Sequence, residues 1–304
     1  MALDHDAERR RALASTLCAL HLLRDCYDVF VKGQPPAGRM SKELWKEFQA
    51  FVKWTNMTPE SIHAASVFLA IRGLGKASSL ANACPEMIKD SAEQILLHGI
   101  AHVPDLGPSL AHLSKDMEDL LRRTVCLNEQ SNFAQTLQGE NNPCSVGLLK
   151  EYVEEHGNQA LKFYMFCLVG VMCGLNGDAS TKGSKFMSDS NARNVIFAIK
   201  SLQQLESASP IHVYRGYILQ RANHLQLPAR SEEELAFVRF ACLNRVSNRA
   251  SLEPAKGSWH QLDKDGLVQR LCADGIGQQA VILTFCRSIS KMHGIAIKSA
   301  LTWQ

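Results

Sequence analysis

Apolar residues recur at helical spacing along nearly the whole chain, and nowhere does apolar–polar alternation persist for the length of a strand. That pattern excludes a sheet-based core and predicts an all-α fold, a globular multi-helix bundle of about ten helices. Leu13, Leu17, Leu20, Tyr27 and Val31 mark a helix over 8–32, stopped by Gly33 and Pro35-Pro36. Ser41 is placed to cap a helix with Leu44, Phe48, Phe51 and Val52 on one stripe. Thr58-Pro59-Glu60 reads as a cap followed by proline at the first helical position, with Ile62, Ala65, Phe68 and Leu69 facing inward. Pro85 favours a new helix ending near Pro104, Ser109 caps 110–124, and Ser145 caps 146–156 with Gly157 as its stop. A helix marked by Val195, Ile196, Ile199, Leu202 and Leu205 comes next. Ser209-Pro210 opens another, and Ser231 with Glu234 forms a capping box. Two final helices are predicted over 262–273 and 278–292.

The most apolar run, FYMFCLVGVMCGL at 163–175, begins from Asn158 and ends among the glycines at 174–177. It is shorter than the roughly 20 residues that cross a bilayer, so it is expected to be a buried core helix. The chain has 304 residues, of which 46% are hydrophobic and 21% charged, which rules out a disordered chain. A net charge of +3 is too mild to demand a nucleic-acid partner. None of the ten cysteines forms a C-x-x-C pair, and most sit in apolar surroundings, as free thiols do in a reducing compartment. The N-terminus lacks an apolar signal core, so a cytoplasmic protein is expected. No repeat of solenoid length is visible. One all-α body over 1–304 is expected, with seams at 176–187 or 246–262.

The helix launched at Thr58 runs into Arg72-Gly73-Leu74-Gly75-Lys76. On local grounds the two glycines end that helix with a left-handed turn and allow a tight corner. The same stretch also fits a helix-hairpin-helix pattern, Gly73-Leu74-Gly75 followed by Lys76-Ala77-Ser78-Ser79, whose exposed amides and Lys76 would meet a nucleic-acid phosphate. A weaker echo, GIGQQA at 275–280, carries no basic residue. A Walker A loop is excluded, because Ala70 stands where its first glycine belongs. Arg72, Gly73, Gly75 and Lys76 are therefore the candidate phosphate-binding residues.

FLAIRGLGKA also resembles the His-Asp segment of the HD superfamily of metal-dependent phosphohydrolases, within a segment at 58–126. Phe68, Leu69 and Ala70 match the apolar approach, and Gly75, Lys76 and Ala77 match the exit. The resemblance implies a helical bundle with a divalent metal held by a His-Asp doublet. Here that doublet is Arg72-Gly73, neither of which ligates a metal through its side chain, and residues 40–50 supply no upstream histidine. NFAQTLQGENNP, LKFYMF and GSKFM, in that order, resemble an uncharacterised family of helical proteins from unicellular algae.

Two further constellations are candidates. Lys182 and Lys185 in the polar loop after the core helix could hold an anion, against the reading of that loop as a solvated connector. His98 and His102 share one helix face, and with Asp105 they make a two-histidine, one-carboxylate set for a divalent metal, His112 following. Ordinary surface histidines are the alternative. No nucleophile signature is present, and Asp116, Glu118 and Asp119 solubilise their helix.

The sequence thus favours a non-catalytic helical binding or scaffold protein with a protein partner and no cofactor, a pseudoenzyme if the HD likeness is ancestral. The alternatives are a metal-dependent phosphohydrolase rebuilt on His98, His102 and Asp105, and a weak nucleic-acid binder using Arg72 and Lys76.

Overall fold

A computed structural model describes residues 5–83, 91–103, 106–130, 143–244, 246–261 and 268. Among these residues there are thirteen α-helices and no strand: α1 His5–Leu23, α2 Tyr27–Phe30, α3 Lys42–Thr55, α4 Pro59–Ile71, α5 Ser78–Ala83, α6 Ala92–His102, α7 Lys115–Gln130, α8 Pro143–His156, α9 Asn158–Cys173, α10 Asp189–Leu202, α11 Pro210–Leu225, α12 Glu232–Leu243 and α13 Arg249–His260. The all-α expectation holds. None of these helices is long and apolar enough to cross a membrane. The helices expected at 262–273 and 278–292, and the GIGQQA echo, lie outside the described residues.

Most of the caps form as the sequence predicts. The Ser41 hydroxyl accepts from the Leu44 amide, Thr58 from Ser61 and Ser209 from His212, while Ser231 and Glu234 close a reciprocal capping box. Three boundaries differ. The helix expected over 8–32 breaks after Leu23, where Asp25 takes a left-handed conformation at φ +54° and its carboxylate accepts from the Trp45 indole at 2.6 Å. Ser109 does not cap a helix, because Pro108 opens a 3-10 turn through His112 and Leu113 is extended before α7. Ser145 lies inside α8, which already begins at Pro143.

The chain divides into two compact units. The first comprises Met1–Asn132 and Glu155–Ala192, the second Phe133–Glu154 and Arg193–Gln304. In the first, α9 is the central element. Every residue from Phe163 to Cys173 is buried, as expected for this apolar run, and α1, α3 and α4 pack against it. The buried face of α1 is Ala14, Ser15, Cys18, Ala19 and Leu22, and Leu13 points outward at 52% exposure. The small residues win this face because α9 and the turn after it approach closely. A Cβ on Gly174 would stand 2.0 Å from the Ser15 hydroxyl oxygen, and one on Gly177 2.7 Å from the Ala14 Cβ. A large side chain at Ala14 or Ser15 would have no room beside Gly174 and Gly177.

The loop between α9 and α10 is fastened to this unit. Gln34, buried, donates to the carbonyls of Ser184 (2.7 Å) and Met187 (2.8 Å) and accepts from the Met40 amide (2.8 Å). The Ser184 hydroxyl donates to the Cys173 carbonyl, and its amide donates to Phe30. Gly183, at φ +68°, has the Phe30 carbonyl oxygen 2.3 Å from where a Cβ would sit. The expected solvated connector is therefore a loop fastened to the unit at Gly183, Ser184 and Met187, with Asn176, Ala179, Lys182 and Lys185 exposed.

In the second unit, α11 packs on α12 and α12 on α13. Their core joins Leu225, Ala236, Phe240, Leu252 and Trp259, with the Trp259 ring centroid 5.4 Å from that of Phe240 and 5.6 Å from that of Phe237.

Candidate functional site

Helix α4 ends at Ile71, with Arg72 as its C-cap and the Arg72 amide donating to Phe68. The next three residues, Leu74–Lys76, form a 3-10 turn. The expected left-handed turn does not occur. Gly73 lies at φ −79°, ψ −12°, and Gly75 has no positive φ either. Glycine at 75 is required for a different reason: the turn packs onto the first residues of α6, and a Cβ would stand 1.8 Å from the Ala92 carbonyl oxygen. The break in the apolar helix is thus a close approach of two main chains. The amides of Lys76 and Ala77 donate to the carbonyls of Gly73 and Leu74, so they are already engaged within the turn.

The two basic side chains of the turn sit among charges from three other segments. Glu8 and Arg11 come from α1, Glu93 from the first turn of α6, and Asp178 from the loop after α9. Arg11 bonds Glu8 within its own helix and Asp178 at 3.2 Å. Burial pulls the Arg11 pKa down, but Glu8 and Asp178 outweigh it and hold the guanidinium firmly charged. Burial lowers the pKa of Arg72, opposed by Glu8 and Glu93. It lowers that of Lys76 as well, opposed by Glu8 and Glu93 and reinforced by the positive charges of Arg72 and Arg11. Three cations and three carboxylates therefore share one region. Arg72 is the exception in its bonding: half-buried, its guanidinium makes no hydrogen bond or ion pair among the described residues.

The other sequence candidates are placed apart from this cluster. His98 and His102 stand one above the other on α6 with ring centroids 4.4 Å apart, His98 half-buried and His102 exposed. Asp105 lies outside the described residues. Among the described residues no group of three histidine, cysteine, aspartate or glutamate side chains is arranged to hold a metal ion. Lys182 and Lys185 are exposed. The amides beside them point inward, and the carboxylate of Asp189, at the start of α10, accepts from the Ser41 amide at 3.0 Å.

Sequence reading found Arg72, Gly75 and Lys76 but not Glu8, Arg11, Glu93 or Asp178. The Glu8–Arg11 pair has the i, i+3 spacing of an ordinary surface ion pair, and only the fold brings it to α4.

No curated protein and no solved structure matches the chain. Residues 4–296 match the model of a family of unknown function, DUF6829, and the chain belongs to that family.

Proposed function

We propose that this is a non-catalytic helical binding protein whose Arg72–Lys76 turn receives a single anionic group, a phosphate or a carboxylate, carried by a protein partner. One observation carries the reading: the Arg72 guanidinium is half-buried, next to Lys76, and has no hydrogen-bond partner of its own among the described residues. A guanidinium in this condition gains most from a planar or tetrahedral oxyanion, which it binds through two parallel N–H donors. A phosphodiester backbone is a poorer fit. The turn amides are engaged, and Glu8, Glu93 and Asp178 would repel a run of negative charges.

The HD resemblance agrees with a silent site. Arg72 puts a permanent cation, attracted by Glu8 and Glu93, at the position where that superfamily carries a metal-ligating histidine. The described cysteines are free thiols, mostly buried, in keeping with a reducing intracellular compartment.

The test is a paired assay on the full chain. Thermal unfolding in the presence of phosphopeptides and of acidic peptides is followed for the parent and for Arg72→Ala. Turnover of phosphate esters is followed with added manganese or iron. Ligand-dependent stabilisation lost in Arg72→Ala, with no turnover, supports the reading. Metal-dependent hydrolysis by the parent contradicts it.

A further inference from the structure

Three leucines of α1 that periodicity assigns to the core lie outside it. Leu13, Leu17 and Leu20 are spaced i, i+4 and i+7 and share one side of the helix. Leu13 is 52% exposed, and Leu17 and Leu20 are half-buried. The buried positions of the same helix are Ala14, Ser15, Cys18, Ala19 and Leu22. A single exposed leucine needs no explanation, but a row of them in register marks a surface that meets something.

The stripe is bounded by cations at both ends. Arg9 lies four residues before Leu13 and Arg24 four residues after Leu20, both exposed, and the exposed Arg10 follows Arg9. At 1.5 Å per residue, Arg9 and Arg24 are about 22 Å apart along the helix. Of the carboxylates next to these ends, Asp6 pairs with Arg10 at 3.4 Å, and Asp25 accepts from the Trp45 indole. Glu8 turns the other way, toward Gly73 and Arg72. One side of α1 is therefore apolar in its middle and basic at its two ends.

We propose that this side of α1 docks on an anionic phospholipid surface, with the leucines at the boundary of headgroups and acyl chains and the arginines against the phosphates. Charge complementarity selects this occupant. Negative headgroups spread over a plane meet both ends of the stripe at once, while the leucines between them leave water. A second copy of the chain fits worse: an antiparallel pairing that matched Leu13 with Leu20 would set Arg9 against Arg24 at each end. A helical peptide also fits worse, because such helices are received in grooves and this surface is the ridge of one helix. The attachment is peripheral and reversible, since three leucines hold far less firmly than a spanning helix. It uses neither Arg72 nor Lys76 and does not depend on that site.

The experiment is flotation of the full chain with vesicles of phosphatidylcholine containing phosphatidylserine, against vesicles of phosphatidylcholine alone. The parent should float with the first and not the second, and added salt should release it. Leu13→Asp changes an exposed side chain, and circular dichroism confirms that it folds; it should bind at least several-fold more weakly. Arg9→Glu combined with Arg24→Glu should bind at least about tenfold more weakly. Arg249→Glu, the same charge change at an exposed position of α13, should bind as the parent does, as should Arg72→Ala. Sedimentation of the parent and of Leu13→Asp without vesicles, and binding of both to an acidic helical peptide, complete the test. Failure to bind the anionic vesicles, equal binding to both kinds, or binding unchanged in Leu13→Asp would overturn the proposal. So would a dimer or a peptide complex that Leu13→Asp abolishes while the parent ignores the vesicles, which would give the stripe to a second copy or to a protein partner.

Discussion

Gly75 and Ala92 touch main chain to main chain: a Cβ on Gly75 would lie 1.8 Å from the Ala92 carbonyl oxygen and 3.2 Å from the Leu96 Cβ. Two residues earlier, a Cβ on Gly73 meets only the Glu8 side chain, at 3.4 Å. Gly75→Ala must therefore push α6 away from the end of α4, at a cost of about 2–4 kcal/mol, in the range of overpacking. Gly73→Ala, at an ordinary right-handed φ, should fall within about 1 kcal/mol of the parent. Urea unfolding of both variants checks the pair, and equal stabilities would mean the close approach is wrong.

Gln34 holds three main-chain groups at once. Replacing it with leucine strands two carbonyls and one amide in a buried setting. The expected loss is about 3 kcal/mol, since each orphaned group costs about 1–3 kcal/mol and some will find water. Limited proteolysis should then cut within 176–188 faster than in the parent. An unchanged cleavage pattern would show that the loop does not depend on Gln34.

Lys76 gives a pH dependence with a definite sign. Its pKa is lowered in the folded chain, burial being the largest cause. Below the depressed value the lysine is charged in both states and the folded state carries the burial penalty. As pH rises toward the unfolded value near 10.5 the folded state loses its proton first, and the penalty fades. Lys76→Met should thus gain on the parent at neutral pH, with the difference shrinking as pH climbs toward that value. A difference that grows with pH would reverse the assignment.

Among the described cysteines, reactivity should follow burial. Cys18 is pushed up to about 12, and Cys167 and Cys173 well above the ordinary thiol value, all by burial. Cys126 is exposed and Cys26 half-buried. Brief alkylation of the native protein followed by peptide mapping should label Cys126 and Cys26 and spare the buried Cys18, Cys167, Cys173 and Cys242. Early labelling of Cys167 would mean α9 is not the core.

The helices and most of their caps were legible in the sequence because they are local: a hydroxyl at Ser41 or Thr58 needs only the amide three residues on. The run at 163–175 was legible as core from its length and lack of charge. What the sequence hid depends on approach between distant segments. The buried face of α1 is mostly alanine, serine and cysteine because Gly170, Gly174 and Gly177 approach it, and no periodicity of large residues reports that. Gly75 was visible as a break, but its cause, the Ala92 carbonyl, is 17 residues away. Glu8 and Glu93 joined Arg72 only through packing.

The central claim is that Arg72 supplies an open cation for an anionic group. Titration calorimetry of the full chain with a phosphopeptide at fixed ionic strength tests it most directly, comparing the parent with Arg72→Ala and Arg72→Lys. The parent should bind, Arg72→Ala should bind at least about tenfold more weakly, the scale of a charge-assisted hydrogen bond, and Arg72→Lys should fall between them. Equal affinity in the parent and Arg72→Ala would contradict the account.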